Sequence, residues 1–202
     1  MWITHVPYDV AGARLKQLYD RVKGPGNNVD NIMLAHSLRP HSMEGHMTLY
    51  KNVLHHAANQ MPKWFLESLG IYTSRLNGCA YCVDHHTAGL ERLLHDGARA
   101  VAIGAALEDG SFDTVFDAAQ IAALHYTRTL TLAAHDQSLL LTNVLSMRAA
   151  GLDDGCILEV NQVVAYFNYA NRTVLGLGVT TTGDVLGLSP NSAADPGDWS
   201  HR

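Results

Sequence analysis

The chain is poor in cysteine, in charge and in long apolar runs. Three cysteines in 202 residues, two of them three apart and one alone, cannot build the disulfide framework of a small secreted domain. In a reducing compartment a close pair of this kind serves catalysis or metal binding more often than structure. Charged residues make up 16% of the chain and the net charge is −5, so the basic surplus of a nucleic-acid binder is missing. No apolar run approaches the roughly 20 residues of a membrane helix. Met1-Trp2-Ile3-Thr4-His5-Val6-Pro7 lacks the basic and apolar regions of a signal peptide. These absences lead to the expectation of a soluble cytoplasmic protein with neither nucleic-acid nor membrane partners. What is present is a 47% hydrophobic composition, globular in character, and twelve histidines.

No persuasive strand alternation occurs, and Val179-Thr180-Thr181-Thr182 is the most strand-like piece. Helical spacing is common instead. Helices are expected over about 9–22, 29–38, 42–57, 62–76, 79–95, 98–107, 113–134, 136–150 and 153–175. Pro62 suits a first helical turn, Asn77 suits the N-cap of the helix that follows it, and Asp113 and Asp153 suit two more caps. The expected architecture is a single all-α domain over 1–202, with its core at about 30–183 and an extended tail over 184–202. Trp199, the single tryptophan of that tail, is a candidate to pin it to a neighbouring surface; otherwise the tail frays.

Chemistry concentrates in Asn77-Gly78-Cys79-Ala80-Tyr81-Cys82-Val83-Asp84-His85-His86. On a helix at about 100° per residue, with Cys82 as zero, Cys79 falls near 60° and His86 near 40°. Both lie in the apolar stripe of Val83, Leu90, Leu93 and Leu94, whereas Tyr81, Asp84 and His85 fall outside it. His86, one turn after Cys82, is placed to take its proton, because only a thiolate attacks. Cys79, one turn before, is placed to close a disulfide with it. Each residue alone has an ordinary packing role, and a zinc site would need further ligands from elsewhere. Cys156, solitary in an apolar helix, reads as a small core residue.

The run resembles the alkylhydroperoxidase D-like, or carboxymuconolactone decarboxylase-like, family, and most of all its peroxidase-related branch. Redox members of that family carry a glutamate, eleven residues, then Cys-x-x-Cys-x-x-x-His. Here those positions are Glu67, Cys79, Cys82 and His86. The resemblance spans roughly 30–200. It includes His36-Ser37, Phe167-Asn168-Tyr169-Ala170-Asn171-Arg172 and Pro196-Gly197-Asp198-Trp199.

The resemblance implies an all-α fold, assembly as homotrimers or homohexamers, and no metal or other cofactor. It implies Cys82 as the attacking thiol, Cys79 as the resolving one, His86 as the activating base and Glu67 in the proton relay. The implied reaction is reduction of a hydroperoxide with electrons from a thiol reductant or a redox partner protein. Its rivals are a thiol–disulfide reductase or adaptor, a non-redox decarboxylase of the same fold, and a zinc-stabilised binding protein. Some relatives carry a relay histidine just before the second cysteine, where this chain has Tyr81. Helical projection alone puts Glu67 at the surface beside Lys63 and Tyr81 in an exposed position. His125, Asn168, Asn171 and Arg172 are candidates for an access path, though packing and surface roles suit them as well. The opening of the helix favours a thiolate at Cys79, and the spacing to His86 favours Cys82.

Overall fold

The computed structural model describes residues 1–188, 198 and 199. Nine α-helices and no strand occur among these residues: α1 (Ala13–Val22), α2 (Asn31–Ala35), α3 (Pro40–Leu54), α4 (Lys63–Leu76), α5 (Ala80–Leu94), α6 (Gly97–Asp109), α7 (Ala118–Leu132), α8 (Gln137–Ala149) and α9 (Asp154–Leu177). None of them is long and apolar enough to cross a membrane. The strand-like piece at 179–182 is irregular chain.

Carboxylate caps set several helix starts. Asp96, Asp136 and Asp153 each accept a backbone N–H from the first turn of α6, α8 and α9. Asp113 does not start α7. That helix begins five residues later, where Asp117 and Gln120 form a reciprocal capping box that satisfies two orphan N–H groups at once. Pro62 occupies the N-cap position of α4 rather than its first turn, and Pro40 opens α3 rather than only ending what precedes it.

α4 is the axis of the bundle, packed by α3, α5, α6, α7 and α9. Every residue from Phe65 to Ser74 is buried. Such a helix has no polar face to show. Ser68, Thr73 and Ser74 instead donate back to the carbonyls of Trp64, Leu69 and Gly70, four residues earlier. Gly70 lets α9 approach, because a Cβ there would run into the Phe167 ring.

A second cluster lies outside this core. Leu15, Leu18, Tyr19 and Val22 of α1 meet Met43 and Met47 of α3, and Trp199 is buried among them at 3% exposure. The Arg21 guanidinium sits 3.6 Å from the Trp199 ring centroid. The packed structure therefore extends to both ends of the expected core. Residues 184–188 are packed chain rather than the start of an extended tail, since Asp184 is bonded to α2 and α5 and Gly187 lies against Ala88. The rest of the expected tail, 189–197 and 200–202, lies outside the described residues.

Candidate active site

α4 and α5 abut through a tight junction that decides where the cysteines go. Asn77 closes α4 instead of capping α5. Gly78 follows with φ 69°, and its N–H bonds the Arg75 carbonyl. The Cys79 N–H then bonds the Ser74 carbonyl at 2.9 Å. This is the Schellman pattern, for which a glycine at positive φ is suited. Cys79 is thus the last bonded residue of one helix and the N-cap position of the next, and it is buried to 0% exposure. The Asn77 amide turns back to donate to Asn168 and Asn171.

Cys82, one turn into α5, is 3% exposed. Cys79 and Cys82 are both free thiols. The Cys82 thiol donates to the Cys79 sulfur, which holds the Cys79 pKa below the ordinary thiol value against the opposing effect of burial. The Cys82 backbone N–H adds to this from the open end of α5, in a contact that falls short of a capping hydrogen bond. The same thiol bond, together with burial, pushes Cys82 well above its ordinary value. Asn171 and Ser74 lie against the pair and partly offset that rise. Asn171 is fully buried and donates to Ser74 Oγ at 3.0 Å. Its place is behind the sulfurs, not on an access path. Arg172 and His125 are exposed, and Asn168 is half-buried at the Asn77 contact.

His86 Nδ1 donates to Glu67 Oε2 across 2.6 Å. Because the carboxyl accepts at Nδ1, the lone pair of the neutral imidazole resides on Nε2. The Phe167 ring meets the His86 ring edge-on with centroids 4.6 Å apart, and fixes its plane. Glu67 is 0% exposed, so the surface position projected for it is wrong. The projection assumed that α4 has a wet side, and α4 has none. The other Glu67 oxygen faces His55 Nε2 at 3.9 Å. His55 carried no signal of its own in the sequence.

A cavity of about 60 Å³ opens in front of Cys82 and His86. Its apolar wall is Ile32, Met33, Met47, Phe167, Ala170 and Leu188, and its polar wall includes Asp30, His46, Tyr50, Tyr81, His85 and Tyr166. Cys79 is not part of the lining. Tyr81, projected to an exposed position, is 6% exposed. Its hydroxyl donates to Asp184 Oδ2 at 2.8 Å and accepts the Ile32 N–H at 3.2 Å. Burial and Asp184 raise its pKa, so the phenol stays neutral. His85 does not point away either: its Nε2 lies 3.1 Å from the same Asp184 oxygen. The local pattern of α5 could not reveal these contacts, because α2 and the chain after α9 supply the partners. Asp30 and Asp184 had no motif to mark them. Cys156 is half-buried at the start of α9, far in sequence from the pair and against the main core.

Among the described residues no three His, Cys, Asp or Glu side chains gather in a metal-binding cluster. No protein-family model matches the sequence, and no curated protein matches it. Solved structures do match. An alkylhydroperoxidase AhpD core protein from Ralstonia eutropha, described as an uncharacterized peroxidase-related protein, superposes with a TM-score of 0.76 at 18% identity, over 89% of this chain and 90% of its own. The chain has the alkylhydroperoxidase D-like fold. An uncharacterized peroxidase-related protein from Silicibacter sp. gives a TM-score of 0.74 at 20% identity, over 88% of this chain and 91% of its own. A protein of unknown function from Agrobacterium tumefaciens gives 0.60 at 21% identity, over 72% of this chain and 93% of its own. The all-helical architecture expected from the sequence is the architecture of this fold.

Proposed function

We propose that the chain is a dithiol peroxidase that reduces small hydroperoxides. The observation that carries this reading is a cavity shared by one thiol and one imidazole, with a second thiol beside the first. Cys82 and His86 line it, and Cys79 is buried against Cys82 outside that lining. The likeness in fold to proteins described as peroxidase-related supports the same reading.

In this scheme His86 Nε2 takes the Cys82 proton while Glu67 holds the imidazole through Nδ1. The Cys82 thiolate attacks the terminal oxygen of R–O–OH. An S–O bond forms, the O–O bond breaks, sulfur is oxidised by two electrons and R–O⁻ leaves, to be protonated to R–OH. Cys79 then displaces the hydroxyl of the sulfenic acid as water, closing the Cys79–Cys82 disulfide. An external thiol, small or carried by a partner protein, supplies the two electrons that reopen it. Cys79 is the more acidic sulfur of the resting pair, but it does not meet the cavity, and this supports Cys82 as the attacking thiol. A free thiol pair belongs in a reducing compartment, which supports a cytoplasmic location. Leu132, Leu139, Leu141 and Leu145 are exposed on the packed helices α7 and α8, which supports burial between copies in a homotrimer or homohexamer.

The test is a single turnover. Pre-reduced protein mixed with one equivalent of hydrogen peroxide loses two thiols and gains one intramolecular disulfide between Cys79 and Cys82. Cys82→Ser abolishes peroxide consumption. Near-full consumption by that variant ends the assignment.

A further inference from the structure

Opening an O–O bond with a thiolate needs two proton movements. One proton must leave Cys82, and another must reach the oxygen that departs as alkoxide or hydroxide. The His86–Glu67 pair accounts for the first. A second acid on the cavity wall would let the His86 imidazolium keep that proton while the oxygen departs.

The cavity wall offers few. Tyr81 gives its hydroxyl proton to Asp184. Tyr166 is bonded to His46, and burial holds its phenol far above the ordinary value. Burial also pushes His46 down to about 3, which leaves a neutral imidazole at physiological pH. His85 directs Nε2 to Asp184. Phenols in general titrate near about 10 and are weak acids for this task.

Asp30 differs from all of these. It stands at the N-cap position of α2 but makes no side-chain cap bond, so its carboxyl is not committed to the helix. Its Oδ1 is shielded from solvent and meets no hydrogen-bond partner among the described residues. Asp184, bonded to two residues of the cavity wall, accepts from Tyr81, from His85 and from the Asn31 N–H. Asp184 receives three donors, whereas Oδ1 of Asp30 receives none. A buried carboxyl oxygen without a donor is expensive as an anion and far less so as a neutral acid.

We propose that Asp30 is the proton donor of this cavity, handing its proton to the oxygen that leaves when Cys82 opens a hydroperoxide. The inference rests on the peroxidase reading. Its balance is Cys82–S⁻ + R–O–OH + Asp30–COOH giving Cys82–S–OH + R–OH + Asp30–COO⁻. His86 meanwhile holds the proton taken from Cys82, and exchange with solvent returns one to Asp30. Burial raises Asp30 to about 7, with Asp184 pushing in the same direction and His85 opposing, so a large fraction is protonated at neutral pH. The groups facing it are Tyr81, His85, Cys82 and His86 of α5, His46 and Tyr50 of α3, Tyr166 of α9, and Asp184 beyond α9.

The assignment predicts a dependence on the leaving group. Hydrogen peroxide expels hydroxide, the anion of a very weak acid, and needs the proton. Peroxyacetic acid expels a carboxylate, the anion of an acid with pKa near about 4, and hardly needs it. Thiol loss is followed in single turnovers of reduced wild type, Asp30→Asn and Asp30→Glu with each reagent. Asp30→Asn is expected to slow the hydrogen peroxide reaction roughly a hundredfold and the peroxyacetic acid reaction far less. Asp30→Glu, which keeps a carboxyl, recovers part of the loss. The wild-type advantage over Asp30→Asn with hydrogen peroxide shrinks as pH rises through about 7, where Asp30 ionises. Taking the ratio at each pH removes the ionisation of Cys82, of its neighbours and of the reagent. Equal slowing with both reagents, or no slowing with either, overturns Asp30 as the donor and leaves the peroxidase reading standing. If wild-type thiols react with neither reagent, both readings fall.

Discussion

His86 on α5 and Glu67 on α4 are joined by a 2.6 Å hydrogen bond, with Glu67 wholly buried and the His86 side chain at 12% exposure. The bond fixes the tautomer. With the proton on Nδ1, Nε2 keeps the lone pair that the proposed base needs, and Phe167 packs edge-on against the ring. Glu67→Gln keeps the shape but can present an N–H to Nδ1, which favours the wrong tautomer. The expected outcome is a loss of at least about tenfold in the rate of Cys82 oxidation by peroxide, with an altered pH profile and an unchanged circular-dichroism spectrum. An unaltered rate and profile would take Glu67 out of the mechanism.

The thiol pair supplies a second check. Cys82 is raised first by donating to Cys79 and then by burial. Cys79→Ala removes the first cause, together with the charge repulsion from Cys79, and keeps the second. The Cys82 pKa in that variant should fall, as read from thiolate absorbance against pH. Peroxide should then leave a trappable sulfenic acid in place of a disulfide. A rise in the Cys82 pKa would contradict the hydrogen bond between the sulfurs.

How far the site was legible depended on which contacts were local. Cys79, Cys82 and His86 share one helix, so helical projection brought them together. The glutamate came only from spacing resemblance, because projection assumes a wet face and α4 lies inside five other helices. Tyr81 and His85 were misplaced for a related reason. Their partners Asp184 and Ile32 lie about 100 and 50 residues away in sequence, as the separations of 103 and 49 from Tyr81 record. Asparagine caps helices well, and by that rule alone Asn77 would open α5. The adjoining Gly78, at positive φ, made it the close of α4 instead. Helix existence was clear throughout, whereas the start of α7 turned on a capping box that the sequence reading passed over.

Trp199 tests the last described part of the chain. It lies 3% exposed against α1 and α3 with Arg21 over its ring. Trp199→Ala should cost about 3–5 kcal/mol in urea denaturation, the usual range for deleting a large buried aromatic side chain. A frayed terminus would register almost no change, so a loss below about 0.5 kcal/mol would contradict the burial.

Asp30 links the proposed chemistry to stability. Its ordinary carboxyl value of 3.8 applies to the unfolded chain, and in the folded protein it is raised to about 7. Below pH 3.8 both states carry the proton and the residue imposes no ionisation penalty. As pH rises from there to about 7 the unfolded chain ionises while the folded one resists, so stability is lost across that interval. Above it both states are ionised and the loss is constant. Asparagine has no charge to bury. Asp30→Asn should therefore be more stable than wild type near pH 8, by roughly 1–4 kcal/mol, and the gain should fade towards pH 4. Comparing the two proteins at each pH cancels the titration of His46 and the other buried groups. A variant slower with hydrogen peroxide yet more stable at pH 8 would mark Asp30 as a residue held under strain for its proton. Equal stability at both pH values would mean that its carboxyl is not perturbed by the fold.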